Sequence, residues 1–274
     1  MLKKAMFKNP YFLIGFVITS ILLILAIVGI FYTPYSPNSI EVIYASLKPS
    51  FEHWLGTDKL GRDIFSRIMY AGHLAFGTSI CSVSISLFIG GTLGLISGLA
   101  GGFIDTVITK FSDVIRSIPG ILFALMIIAV LGKGFINTVI AICFITMPSF
   151  IRIVRTNVLE IKNREYIQWA NIVGVNKIRI ALVHVLPNIV SPIIVMATMG
   201  VASAILTEAS LSYLGLGIQP PNPSWGQMLS EAQANISTAP WEAISVGVCI
   251  SLMVLGFNLL GDGLRDYLDV KNIK

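Results

Sequence analysis

Residues 11–32 read YFLIGFVITSILLILAIVGIFY, a run without a single charge. About 20 such residues carry a helix through the ~30 Å hydrocarbon core of a bilayer, and this run decides the fold class. A soluble core would instead alternate amphipathic elements with polar loops. Of the 274 residues, 55% are hydrophobic and 12% are charged, and mean hydropathy is +0.82. These values predict an all-α integral membrane protein built as one bundle. The preceding MLKKAMFKNP resembles the start of a secretory signal. However, the apolar run exceeds the usual ~7–15-residue core and no small-residue cleavage site follows, which predicts an uncleaved anchor.

Further apolar runs lie at 74–100, 118–131, 135–151, 189–211 and 243–260. Six crossings put both termini on one side. Lys48, Lys59, Arg62, Arg67 and Lys133 fall on the opposite side, and the rest of the 19 Lys and Arg residues fall on the side of the termini. The positive-inside rule therefore predicts cytoplasmic termini. The net charge of +5 reports orientation rather than nucleic acid, since no basic patch interleaved with aromatics accompanies it. Two parts are expected: residues 1–73, a first span with an outer segment, and residues 74–274, a five-helix core. The longest internal loop of that core, about 153–188, faces the cytoplasm. The outer segments, about 33–73 and 215–242, carry Pro, Trp and charged residues and are candidate lids or docking surfaces. Cys81, Cys143 and Cys249 sit in apolar runs without CxxC spacing, as small buried hydrophobes do.

Gly90, Gly94, Gly98 and Gly102 recur every four residues and so line one helix face, where a second helix can approach closely. The internal loop contains EYIQWANIVGVNKIRIALVHVLPN at 165–188. Asn163 is placed to cap a helix whose first turn holds Glu165, and Gly174 to end it. Asn176 is placed to cap a second helix carrying Lys177, Arg179 and His184, which stops before Pro187. Tyr166, Trp169, Ala170 and Val173 share one face of the first helix. That apolar ridge suits either a groove in a partner or the protein's own membrane helices.

This stretch resembles the "EAA" loop of ABC-importer permeases, in which a Glu-Ala-Ala triplet, a glycine four residues after its last alanine and a distal Leu-Pro recur. Here Gln168, Trp169 and Ala170 occupy the triplet, Gly174 the glycine, and Leu186 and Pro187 the ending; Gln168 and Trp169 depart from the pattern. HWLGTDKLGRDIFSRIMY at 53–70, GGFIDTVITKFSDVIRSIPG at 101–120 and LTEASLSYLGLGIQPPNPSWGQML at 206–229 are similar to the dipeptide/oligopeptide/nickel branch, as its second permease subunit. Where that branch commonly has Gly-Ala-Arg, this chain has Ala71, Gly72 and His73. The resemblance implies a six-helix type I importer permease of the bacterial cytoplasmic membrane, with both termini cytoplasmic. It further implies a coupling loop that carries Glu165, Tyr166, Gln168, Trp169, Ala170, Gly174, Leu186 and Pro187. The implied partners are a second related permease, two cytoplasmic ATPases and an extracytoplasmic solute-binding protein. The implied solute is a peptide or a nickel complex, and the short first outer segment leans toward nickel.

No stretch matches G-x-x-x-x-G-K-[ST], so the chain is read as a transport subunit rather than an enzyme. It binds no cofactor of its own, and ATP and Mg belong to the partner ATPases. An ion-coupled secondary transporter would need titratable groups at mid-membrane, and the mid-span regions are nearly free of them. A membrane enzyme would show paired carboxylates, a Ser-His arrangement or H-E-x-x-H at a common depth, and none occurs. Glu208 lies about 28 Å along a helix starting at Ile189, near the far interface, and is read as tying down the outer loop. His53, His73 and His184 do not cluster, so they are read as solvent-facing or interface residues and no metal site is assigned. Asp105 and Asp113 are expected to pair with Lys110 and Arg116 in a short inner loop. Asp58, Arg62 and Asp63 either pair with each other or meet the binding protein.

Overall fold

A computed structural model describes residues 9–272. Lys3, Lys4, Lys8 and Lys274, which enter the charge asymmetry, and the leader-like residues 1–8 lie outside the described residues. Helix α1 (Pro10–Phe31) is launched by Asn9, whose side-chain oxygen accepts from the amides of Tyr11 at 2.9 Å and Phe12 at 3.4 Å. Pro10, at the first helical position, has no amide to satisfy. After an outer segment comes α2 (Ile64–Ala100), capped by Asp63 on the Ser66 amide at 2.7 Å. Then follow α3 (Gly102–Ser117), α4 (Gly120–Leu131), α5 (Phe135–Lys162), α6 (Glu165–Ile172), α7 (Lys177–Tyr213), α8 (Trp225–Gln233) and α9 (Pro240–Asn272).

Among the described residues five helices, α1, α2, α5, α7 and α9, are long and apolar enough to cross a membrane. The expected crossing at 118–131 is different. It forms α4, of 12 residues, only about 18 Å at 1.5 Å per residue and too short for a ~30 Å core. Helix α4 meets α3 at a 92° bend, and only the pair together passes as a broken span. Pro119 makes the break: it holds Ile118 extended, at φ −96° and ψ 132°. Two boundaries also move, because α2 starts ten residues before Leu74 and α5 continues past Ile151 to Lys162. Most of the expected loop at 153–188 is therefore helix belonging to α5 and α7, with α6 and its flanks between them.

Helices α2 and α5 approach each other closely along a seam. A Cβ added at Gly90 would stand 2.7 Å from the Met147 carbonyl oxygen, and one at Gly94 2.6 Å from that of Ile151. At Gly98 it would stand 2.6 Å from Val158 Cγ1. The same four-residue stripe continues as serines. The Ser82 hydroxyl donates to the Val139 carbonyl at 3.2 Å and the Ser86 hydroxyl to that of Cys143 at 2.8 Å, bonds with no water to compete for them in a bilayer. Gly102 departs from its expected place in this row. Nothing would lie within 4 Å of a Cβ there, and its φ is +54°, next to +68° at Gly101. These two glycines form the left-handed break between α2 and α3.

Helix α1 packs on the core across the 1–73/74–274 division, since a Cβ on Gly15 would meet the Leu260 amide nitrogen of α9 at 2.6 Å. Ile64, Phe76, Ile142, Phe150, Ile205 and Trp225 join α2, α5, α7 and α8 in the main core. Cys143 and Cys249 are buried, whereas Cys81 is exposed, contrary to expectation.

Candidate functional site

Helix α6 stands where α5 hands over to α7. Because α5 runs past its apolar stretch, Asn163 closes that helix, donating its amide to the Ile161 carbonyl, rather than capping the next one. Helix α6 is entered instead through Arg164, whose carbonyl accepts from the amides of Ile167 at 3.0 Å and Gln168 at 3.2 Å. Gln168 Nε2 donates to the Asn163 carbonyl at 3.3 Å. At the other end the Val175 amide donates to the Ala170 carbonyl at 3.0 Å while Gly174 sits at φ +81°, a Schellman turn that needs glycine's freedom at that residue. Asn176 then caps α7 through the Ile178 amide at 2.9 Å.

Pro187 does not end this helix as its ring would suggest. Residues Ile180–Val185 form a π-helical stretch in which the Leu186 amide reaches back five residues to the Ala181 carbonyl. That widened turn, immediately before the ring, changes which carbonyl the proline faces, and α7 continues. Leu186 and Pro187 thus lie on α7, apart from the α6 cluster of Glu165, Tyr166, Gln168, Trp169, Ala170 and Gly174.

The ridge of α6 divides in two. Ile167, 1% exposed, and the partly buried Ala170 pack on Val154, Val158, Ile161, Ile180, Val185 and Ile189. Trp169 at 65%, Ile172 at 74% and Val173 at 77% exposure point outward with Tyr166. Ile167 was missed in the sequence, although its three-residue spacing from Ala170 was the available signal. The Asn9 side-chain amide donates to Asp266 Oδ2 at 3.0 Å, and Arg265 lines a cleft of about 480 Å³ with Asn157, Glu160, Arg164, Asn188 and Ser191. Both ends of the described chain therefore gather at the α6 end.

The opposite end is held by charges that pair within the chain. Arg62 bridges Asp58 at 2.5 Å and Glu231 of α8 at 2.6 Å. Buried Arg67 lies 3.8 Å from Asp58 and 3.6 Å from Glu231, and donates to the Pro37 carbonyl at 3.2 Å. Asp63 meets His53 Nδ1 at 2.9 Å, so His53 is buried rather than solvent-facing. The fully buried Glu208 accepts from the Ser212 hydroxyl at 2.7 Å, and that oxygen accepts in turn from the Ile218 amide at 3.3 Å. The carboxylate thereby tethers the loop after α7. Arg67→Ala would leave Asp58 and Glu231 to Arg62 alone and remove the donor to the Pro37 carbonyl, at a cost of about 1–3 kcal/mol. The expected result is a clear fall in the thermal unfolding midpoint of the detergent-solubilised protein, with a smaller fall for Arg67→Lys.

The sequence profile of binding-protein-dependent transport system inner membrane components matches residues 90–274. A relative named as a dipeptide transport system permease protein, from Alkalihalophilus pseudofirmus, is 42% identical over 98% of this chain and 88% of its own length. A glutathione transport system permease protein of Pectobacterium atrosepticum is 47% identical over 81% of this chain and 74% of its own. Among solved structures, an inward-facing MetNI methionine ABC transporter chain superposes with a TM-score of 0.60 at 18% identity, covering 72% of this chain and 93% of that one. At that identity the match speaks for the fold.

Proposed function

The chain belongs to the family of binding-protein-dependent transport system inner membrane components, and from that premise we propose that it passes short peptides across the membrane while α6 receives the stroke of a cytoplasmic ATPase. It is an ABC-importer permease subunit of the bacterial inner membrane, a transport component rather than an enzyme. The observation that carries the coupling role is the division of α6, anchored through Ile167 and Ala170 and presenting Trp169, Ile172 and Val173. A large aromatic among exposed aliphatics, on a short helix fixed by its own core, is how a protein fills a partner's apolar pocket.

That partner is an ATPase chain carrying ATP and Mg, used as a pair, with a second related permease completing the pathway and a binding protein delivering the solute. Arg155, Lys162, Arg164, Lys177, Arg179 and Arg265 lie around the α6 end, which supports a cytoplasmic placement of that end and of both termini. Any effect of ATP on gating must then arise from different contacts of α6 with the inward-open and outward-open forms.

The relatives support a reading of the solute. Those at 42% and 47% identity are named for dipeptide and glutathione transport, which favours short peptides, and the lean toward nickel gains nothing from them. Uptake of a labelled dipeptide, labelled glutathione and radioactive nickel is to be compared in cells lacking this chain and in the same cells with it restored. Restoration of peptide uptake alone is expected. Restoration of nickel alone would overturn the peptide reading, and uptake that survives loss of the ATPases would favour an ion-coupled carrier.

A further inference from the structure

We propose that Asp105 and Arg155 are positioning residues that carry the movement of α6 into the broken span α3–α4, by clamping the first turn of α3 to α5. The inference rests on the coupling role proposed for α6. Asp105 was expected to pair within its own short loop; its partner is Arg155, on α5. Arg155 Nε donates to Asp105 Oδ1 at 2.5 Å and Nη2 to Oδ2 at 2.7 Å. Two parallel charge-assisted bonds of this kind fix direction as well as distance. The Ser97 hydroxyl, in the last turn of α2, also donates to Asp105 Oδ1. Lys162, the last residue of α5, donates to the Leu99 carbonyl at 2.8 Å and the Gly98 carbonyl at 3.3 Å. Three helix ends thus meet at one carboxylate and one ammonium.

Their surroundings make the clamp consequential. Gly101 and Gly102, at φ +68° and +54°, separate α2 from α3, and a Cβ at Gly102 would meet nothing within 4 Å. The break is therefore a conformational joint rather than a packed contact. Among the described residues of α3 only Ser112 and Ile115 are buried; Ile115 and the partly buried Ile108 pack on Met147 and Ile151 of α5, an apolar contact that holds the helices together without fixing direction. On the other side of the ion pair, the α5 residues Val154, Val158 and Ile161 carry Ile167 of α6 in one cluster. A displacement of α6 moves this part of α5 as a packed body. Arg155 then pulls the start of α3 about the glycine joint, and α4 follows across the 92° bend. Without the ion pair only the apolar contact of Ile108 and Ile115 with Met147 and Ile151 joins α3 to α5, and α3 follows α5 loosely.

The test uses the complete complex in proteoliposomes, with binding-protein-stimulated ATP hydrolysis and peptide uptake measured together. Asp105→Asn, Arg155→Lys, the single variants Asp105→Ala and Arg155→Ala, and the double Asp105→Ala, Arg155→Ala variant are expected to hydrolyse ATP within about twofold of the unaltered complex. Uptake per ATP should fall about tenfold, the size expected for losing a charge-assisted link. The double variant should lose no more than either Ala single variant, because both remove one interaction. A loss confined to the amount of inserted complex, with uptake per ATP unchanged, would show a structural role and overturn the proposal, as would additive losses. Co-purification of the ATPases with a Trp169→Asp variant reports on the underlying reading separately. If Trp169→Asp releases the ATPases while Asp105→Asn transports normally, the clamp alone fails.

Discussion

Trp169→Asp is expected to abolish ATP-driven uptake while leaving the chain inserted at its normal level. The side chain is 65% exposed, so a carboxylate there meets water in the isolated subunit and costs the fold little. In the assembled importer the same carboxylate would enter an apolar groove. Losing an aromatic anchor weakens an interface by about 2–4 kcal/mol, and burying an unpaired charge adds to that. Together they amount to at least a hundredfold weaker association, at about 1.4 kcal/mol per tenfold. The check is co-purification of the ATPases with the permease alongside uptake. Gly174→Pro should fail by a different route. Proline cannot adopt the +81° φ that closes α6, so α6 would leave its Schellman turn and be re-aimed. Normal uptake in both variants would refute the coupling role of α6.

What could be read in advance depended on whether the physical cause was local. Helix α1 was legible almost to the residue, because an uncharged run from Tyr11 to Tyr32 needs no distant partner, and the close of α6 was legible because Gly174 supplies a conformation of its own backbone. The start of α2 was not. Residues 64–73 include Arg67 and His73, which read as loop, and Arg67 becomes tolerable inside a helix only once Asp58 and Glu231 face it. The end of α5 was hidden in the same way, since Arg155 looks like solvent-facing charge until Asp105 is brought to it. The π-helical turn before Pro187 and the failure of Gly102 to join the glycine row depend on how whole helices sit, which spacing does not encode. For the candidate site, spacing put Tyr166, Trp169, Ala170 and Val173 on one face, but the division of α6 into anchors and exposed contacts required knowing what α5 presents beneath it.

Gly94→Leu is expected to damage the membrane core severely. The first atom of the new side chain would lie 2.6 Å from the Ile151 carbonyl oxygen and 3.0 Å from Val154 Cβ. A backbone oxygen cannot rotate away, so the only relief is to part α2 from α5. Parting them also stretches the Ser86 bond to the Cys143 carbonyl and opens the Gly90 and Gly98 contacts on either side. Overpacking of this kind costs about 1–3 kcal/mol and occasionally more, and in a bilayer no hydrophobic effect draws the parted helices back together. Gly91→Leu is the control, since a Cβ there meets only Leu87 Cδ1 at 3.7 Å, and leucine is the better helix former. The measurement is the amount of folded, detergent-soluble protein and its thermal unfolding midpoint. Gly94→Leu should lose most of the first and shift the second sharply downward, and Gly91→Leu should leave both near normal. Equal behaviour of the two would mean that the glycine row does not set the helix spacing. The path from α6 through α5 to α3 would then lack the rigid seam that lets a push at one end arrive at the other.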